Sequence, residues 1–252
     1  MTPLVSIITP TFNDYKYLKY TYESILKQTY TNWEWLITDD CSSDGTYEYI
    51  QGLCSKDSRI KIFRNETNSG AAVSRNCSIK NASGRFIAFL DADDLWVDNK
   101  LEVQIHYMLE TNVALSYSDY DHVCENGIDL GYTRTVPSSL NYKELLKENV
   151  IGCLTAVYDS EQLGKVYMPL IRKRQDYGLW LKILRNGIVA SKVPGVLAIY
   201  RVRNNSVSSN KLKLIQYNFE LFHKHENMSF IKASYYLLGN IINKLTKNRV
   251  KK

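Results

Sequence analysis

The stretch "GRFIAFLDADDLW", Gly84–Trp96, runs a continuous apolar segment, Phe86–Leu90, straight into three carboxylates within four residues, Asp91, Asp93 and Asp94. A short apolar run with a glycine before it and a polar turn after it reads as a strand buried on both faces. Like charges crowded at its end repel, and each resists losing its water. A positive partner is therefore expected there. An Mg²⁺ or Mn²⁺ ion is one candidate, because both prefer hard oxygen ligands and also take phosphate oxygens. The plainer alternative is an acidic turn leading into a helix, with Asp94 or Asp98 as its cap.

Upstream of this segment the pattern repeats. "LVSIIT" (4–9), "WEWLIT" (33–38) and "IKIF" (60–63) read as strands, and helix-length segments separate them. "AAVSRNCSIKNA" (71–82) and "KLEVQIHYMLE" (100–110) read as helices, and "VALSYSDY" (113–120) as a further strand. Strands alternating with helices imply right-handed crossovers and a mostly parallel, Rossmann-like sheet flanked by helices. Such sheets bind ligands beyond the C-terminal ends of their strands. Here those ends run into "PTFND" (10–14), "DDCSSDG" (39–45), "NETNSG" (65–70) and "DADD" (91–94), so four polar segments should share one edge.

Downstream the alternation loosens. "ENGIDLG" (125–131) reads as a turn, "CLTAVYD" (153–159) as a strand, and "RKRQDYGLWLKILRNG" (172–187) as a polar loop entering a helix. "IVASKVPGVLAIYRVRNNSVS" (188–208) suggests a hairpin. Residues 1–210 read as one domain and 211–252 as a helical, basic extension. In that extension Ile231, Tyr235, Leu238, Ile242 and Leu245 form an apolar seam. The seam would pack on the body or a second copy, or lie in a membrane interface.

The net charge of +6 belongs to the end of the chain: Phe230 onward holds six basic residues and no acid, and residues 1–229 balance 26 against 26. A neutral body argues against a nucleic-acid surface. Five widely spaced cysteines with no C-x-x-C pair suggest neither a disulfide framework nor a zinc site, and fit a reducing cytoplasm. The N-terminus lacks the basic region of a signal peptide, and no run of about 18 apolar residues occurs.

"VSIITPTFN", "TDDCSSDGT", "NSGAAVSRN", "GRFIAFLDADD", "QDYGLWLKI" and "YRVRNNSVS" stand in the order found in inverting family 2 glycosyltransferases of GT-A fold, which this chain resembles over about residues 4–208. The resemblance implies that Pro10, Thr11 and Asn13 form the first nucleotide-contacting loop and that Asp40 reads the nucleobase, commonly uracil. Asn68, Gly70 and Arg75 then lie beside base and ribose. Asp91, Ala92 and Asp93 make the D-x-D, with the metal on Asp93 or Asp94, and Asp176 is the catalytic base. Where members often carry Tyr-Arg-x-His, this chain has Arg203. Arginine cannot ligate a metal but pairs with phosphate through two N–H groups, so Arg203, with Arg201, is assigned to the diphosphate.

The expected reaction moves a sugar from a nucleotide donor, a UDP-sugar, to a hydroxyl of a glycan or lipid-linked acceptor in bacterial surface polysaccharide synthesis. Mn²⁺ or Mg²⁺ is the expected cofactor, and the cytoplasm or the inner face of the cell membrane the expected location. A homo-oligomer is left open. The alternatives are an inactive sugar- or nucleotide-binding module and a nucleotidyltransferase. "TPTFND" lacks the Gly-rich, Lys/Arg-bearing loop of the latter, and a mere binder has no use for a base. Trp96, Tyr177 and Trp180 lie near the site in sequence, where aromatic faces stack on sugars, although the helical spacing of Trp180 places it in the core.

Overall fold

The computed structural model describes residues 2–203 and 211–246. Its first half follows the alternation. Strand β1 (Val5–Thr11) is followed by α1 (Tyr15–Leu26), β2 (Trp33–Asp39) by α2 (Thr46–Cys54), and β3 (Ile60–Arg64) by α3 (Ala71–Asn81). Next come β4 (Phe86–Phe89), the short β5 (Leu95–Trp96) and α4 (Lys100–Thr111). These strands order β3-β2-β1-β4 and pair in parallel, with Val5 opposite both Trp33 and Phe86. Every residue of β2 and β4 is buried, as two covered faces require.

The second half extends the sheet with antiparallel pairs. It contains β6 (Leu115–Val123), β7 (Asp129–Arg134), β8 (Ser139–Leu140), α5 (Tyr142–Lys147), β9 (Val157–Asp159) and α6 (Ser160–Leu163). Then follow α7 (Gln175–Leu184), β10 (Ala190–Arg201), α8 (Lys211–Glu220) and α9 (Phe230–Thr246). Strand β9 joins the halves by pairing antiparallel with both β4 and β6, and β10 lies parallel to β6. The result is an α/β sheet with a hydrophobic cluster on each face, one centred on Phe89 and Trp180, the other on Trp35 and Ile7.

Three local expectations are corrected. The segment 190–201 is one long strand and not a hairpin. Its Pro194-Gly195 pair, with Gly195 at φ +99°, makes a bulge where the register against β6 shifts. Proline supplies no ladder N–H and glycine takes the positive φ, so the pair suits a bulge as well as a turn. Residues 153–155 form a 3₁₀ turn, leaving only Val157–Asp159 as strand. The turn at 125–127 leads into β7.

Helices α8 and α9 lie on the body. Leu221, Phe222 and Ala233 are fully buried, Glu226 pairs with Arg185 at 2.7 Å, and Asn240 Nδ2 donates to the Leu146 carbonyl. The apolar seam of α9 faces outward: Ile231 is 82% exposed, Tyr235 68%, Leu238 59% and Ile242 58%. The side chain of Leu245 and the segment 204–210, which holds the end of "YRVRNNSVS", lie outside the described residues. No helix among the described residues is long and apolar enough to cross a membrane.

Candidate active site

The loops after β1, β2, β3 and β4 meet along one sheet edge. Asn13, at φ +55°, joins two of them: its N–H donates to Ser42 Oγ (2.9 Å), and its Oδ1 accepts from the Ser43 N–H (2.9 Å). Asp39 is fully buried, accepting from the Ser42 N–H and pairing with Arg64. Asp40 is tied to the loop after β3. Its Oδ1 accepts from Asn65 Nδ2 (2.7 Å) and the Ser69 N–H (2.8 Å), and its Oδ2 from the Gly70 N–H (2.7 Å). Asn68 Nδ2 donates to the Asp40 carbonyl at 3.4 Å. Gly70 then opens α3 at φ +92°, a left-handed conformation suited to glycine. Pro10 lies in β1 opposite Thr38, and Thr11 Oγ1 donates to Asp14 Oδ2.

The acids after β4 have few donors and two guanidinium groups. Arg75 Nη2 donates to Asp91 Oδ1 at 2.5 Å. Arg203 Nη1 bridges Asp14 Oδ1 (2.7 Å) and Asp93 Oδ2 (3.1 Å). Asp94 is 2% exposed and accepts from the Arg201 N–H at 2.9 Å. Burial, and then the charges of Asp91 and Asp14, push the Asp93 carboxyl up to about 6 despite Arg203. Burial and the neighbouring Asp93 and Asp91 raise Asp94 well above the ordinary carboxylate range, and burial raises Asp14. Neither Asp94 nor Asp98 caps the following helix; Asn99 occupies that position, with no side-chain cap bond.

Arg201 and Arg203, two residues apart on one strand end, are used differently. Arg201 is buried, with Nε donating to the Asp93 carbonyl and Nη1 to that of Glu125, so its guanidinium braces the acidic loop. Arg203 is the one that reaches the carboxylates. Ala92 is buried, its carbonyl accepting from Thr21 Oγ1.

Asp176 lies in the first turn of α7. It is not the N-cap; that position is Arg174, whose side chain makes no cap bond. The Asp176 charge acts on the Arg75 guanidinium, the Cys153 thiol and the Tyr120 phenol, and Asp91 acts on the first two of these as well. The candidate base therefore shares its surroundings with the acids of the β4 end, although 85 residues of chain separate it from Asp91. Trp96, Tyr177 and Trp180 are all core: Trp96 Nε1 donates to the Leu154 carbonyl, the Tyr177 hydroxyl to that of Leu145, and Trp180 packs edge-on to Phe89.

Asp14 and Cys153 belong to this neighbourhood but were not singled out in the sequence. Asp14 had a signal, as an acid closing the loop after β1. Cys153 had none, being set there by the 3₁₀ turn.

The acidic residues fit a divalent cation. Asp93 and Asp14 share one guanidinium, and the raised carboxyls mark a cluster short of positive charge. Among the described residues no three His, Cys, Asp or Glu side chains form a ready ligand set. The protein thus offers one or two carboxylates, the share that Mg²⁺ and Mn²⁺ ordinarily take when phosphate oxygens and water complete the shell.

Comparison with known proteins agrees with this geometry. The model for "Glycosyl transferase family 2" matches residues 6–159. The chain is 42% identical over 250 residues to TuaG of Bacillus subtilis (strain 168), which is named for teichuronic acid biosynthesis, covering 99% of this chain and 97% of that protein. It is 42% identical over 240 residues to WfgD of Escherichia coli, covering 95% and 92%. WfgD carries the name UDP-Glc:alpha-D-GlcNAc-diphosphoundecaprenol beta-1,3-glucosyltransferase. Among solved structures, Staphylococcus aureus TarS 1–349 in complex with UDP-GlcNAc superposes with a TM-score of 0.72 at 20% identity, over 92% of this chain and 70% of that one. The mannosyltransferase PcManGT of Pyrobaculum calidifontis, in complex with GDP-Man and Mn²⁺, gives 0.69 at 18%, over 94% and 70%. At these identities the two structures speak for the fold, which is of GT-A type. The chain belongs to glycosyltransferase family 2.

Proposed function

We propose that this protein is an inverting, metal-dependent transferase that moves a sugar from a UDP-sugar to a hydroxyl of a sugar linked through diphosphate to a lipid. The observation that carries it is the convergence on one edge of the Asp14–Asp93–Arg203 cluster, the Arg75–Asp91 pair and Asp176. WfgD, at 42% identity over nearly the whole chain, supports the donor and acceptor classes by its name.

The chemistry assigns each group a task. Asp93, with Asp94 beside it, holds the cation. Bound there, Mn²⁺ or Mg²⁺ supplies positive charge to the departing diphosphate. Arg203 is within reach of the same diphosphate, and shifting its guanidinium from Asp93 to phosphate oxygens exchanges one anion for another. The loop of Asn13 and the loop of Asn68 and Gly70, the latter braced by Asp40, frame the nucleoside. Asp176 accepts the proton of the attacking hydroxyl. A positioned carboxylate contributes about 10²–10⁴-fold in this role. A single displacement inverts the anomeric carbon and requires one base.

Incubation with UDP-glucose, UDP-N-acetylglucosamine or UDP-galactose, Mn²⁺ and a GlcNAc-diphosphate lipid tests the reading. A product whose new anomeric centre is inverted is expected from wild type and not from Asp176→Asn. Transfer with retention, or undiminished transfer by the variant, contradicts it.

The outward seam of α9 has an anionic membrane as its proposed partner. Phe230, Ile231, Tyr235 and Leu238 are exposed on a segment whose sequence to residue 252 holds six basic residues and no acid. Deleting the helix would also strip Ala233 and Tyr236 from the core, so Ile231→Ser/Leu238→Ser is the cleaner variant. It should lose several-fold in co-sedimentation with phosphatidylglycerol vesicles and keep its melting temperature; unchanged sedimentation refutes the contact.

A further inference from the structure

The reaction proposed above involves two diphosphates, one on the donor and one on the acceptor, and Asp93 and Arg203 serve the first. A second set of cations stands directly before the base: Arg172, Lys173 and Arg174. Arg172 Nη2 donates to Asn68 Oδ1 at 3.1 Å, and its side chain lies over Gly70 at the start of α3, on the donor side. Lys173 extends toward α8, with Nζ 6.0 Å from the centre of the Tyr217 ring. Arg174 ends the run, at the position that precedes α7. Its backbone is left-handed, at φ +68°, a conformation that asparagine or glycine adopts more readily, and its Nε is buried with no hydrogen-bond partner in the described structure. A buried guanidinium N–H without an acceptor is costly and points to a missing anionic or polar partner.

Distance and order along the surface agree with an acceptor of this kind. Where the attacking hydroxyl belongs to the sugar next to the diphosphate, base and diphosphate are one sugar ring apart. Residues 172–174 precede Asp176 by two to four positions, at most about 14 Å of extended chain. On the far side α8 packs against α9, with Phe219 edge-on to Phe230 at 5.2 Å, and α9 bears the exposed apolar seam. Base, cations and apolar face thus follow one another as hydroxyl, diphosphate and lipid do.

We infer that Arg172, Lys173 and Arg174 bind the diphosphate of a lipid-linked acceptor and so set its hydroxyl against Asp176. This assignment rests on the function proposed above. It makes the loop a second phosphate site, distinct from the donor's, and makes a diphosphate linkage part of what the enzyme recognises.

The test uses the full chain saturated with UDP and Mn²⁺, so that the donor site is filled, and titrates it with farnesyl diphosphate. The variant is Lys173→Gln/Arg174→Asn, in which asparagine suits the left-handed position and Arg172 keeps its contact with the donor loop. Wild type should bind the probe and the variant at least tenfold more weakly, with the melting shift caused by UDP unchanged. In turnover the variant should raise the acceptor KM at least tenfold and leave the donor KM within twofold. Equal probe affinity in the two proteins, or no binding to wild type, overturns the inference. Failure of UDP itself to bind would instead refute the donor reading, and the probe comparison, which needs no turnover, would still decide the loop's role.

Discussion

Asp39-Asp40 at the end of β2 and Asp93-Asp94 beyond β4 are the same dipeptide after the same kind of buried parallel strand, yet they are solvated by different things. Asp40 receives two backbone N–H groups and an amide from the β3–α3 loop, and Asp39 receives an N–H and a guanidinium. Hydrogen bonds to a charged acceptor contribute about 1.5–3 kcal/mol each, so this pair fastens loops together. Asp93 and Asp94 have two further acids, Asp91 and Asp14, for neighbours and gain little beyond Arg203 and one N–H. Asp40, with donors on both oxygens, is part of the frame, although its neighbour Asp39 keeps a buried Oδ1 without a partner. An acid pair set among further acids with few donors is suited to a ligand.

The largest expected effect lies outside both pairs and sets the scale. Asp176→Asn should lower turnover by about 10²–10⁴-fold while UDP binding, followed by calorimetry, stays within about threefold; a strong loss of binding would move Asp176 into the donor site. Within the comparison, Asp93→Ala should weaken Mn²⁺ binding in the presence of UDP by at least about 100-fold, exceeding the 10–100-fold typical of groups that only support a ligand. Isothermal titration measures it, and an unchanged affinity transfers the ligand role to Asp94 or Asp91.

Asp40→Ala should act on the frame. Losing the acceptor of three donors costs at least about 3 kcal/mol, which lowers the melting temperature by at least about 6 °C in a chain of this size. A melting temperature within a degree of wild type would show that Asp40 braces nothing and would restore the nucleobase as its main partner.

The smallest effect is a pH dependence that Asp93 should confer. Burial, with the charges of Asp91 and Asp14, pushes the Asp93 carboxyl from its ordinary 3.8 up to about 6 in the folded protein. Between those values the folded state holds a proton that the unfolded state has released, so without metal the contribution of Asp93 to stability falls as pH rises from about 4 to about 6. A cation requires the ionised form, so Mn²⁺ affinity should rise by up to about tenfold per pH unit below 6 and level off above it. The slope should survive Asp40→Ala and disappear in Asp93→Asn.

Much of this was legible in the sequence. The alternation of strand and helix through residue 111 is local and survives folding, and each acidic strand end falls where the parallel sheet places ligands. The hairpin expected over 188–208 is one strand instead: Pro194-Gly195 is compatible with a turn or a bulge, and pairing with β6, some 75 residues away, decides between them. The contrast between the acid pairs was hidden for a similar reason: the donors that satisfy Asp40 are backbone groups of a loop 29 and 30 residues further on. Arg203 could be assigned to phosphate from its chemistry, but its bridge between Asp14 and Asp93 depends on β10 ending beside the β4 loop. Asp176 reaches the same edge only through the packing of α7.

The most direct measurement of the central claim is thermal melting of the wild-type protein with UDP, with and without Mn²⁺, beside Asp93→Ala. Ligand at about 100 times its dissociation constant adds about 2.7 kcal/mol. The account expects a rise of several degrees in wild type that requires the metal and is absent in the variant. A rise of equal size without Mn²⁺, or one kept by Asp93→Ala, would contradict it and leave the acids of "DADD" as structure alone.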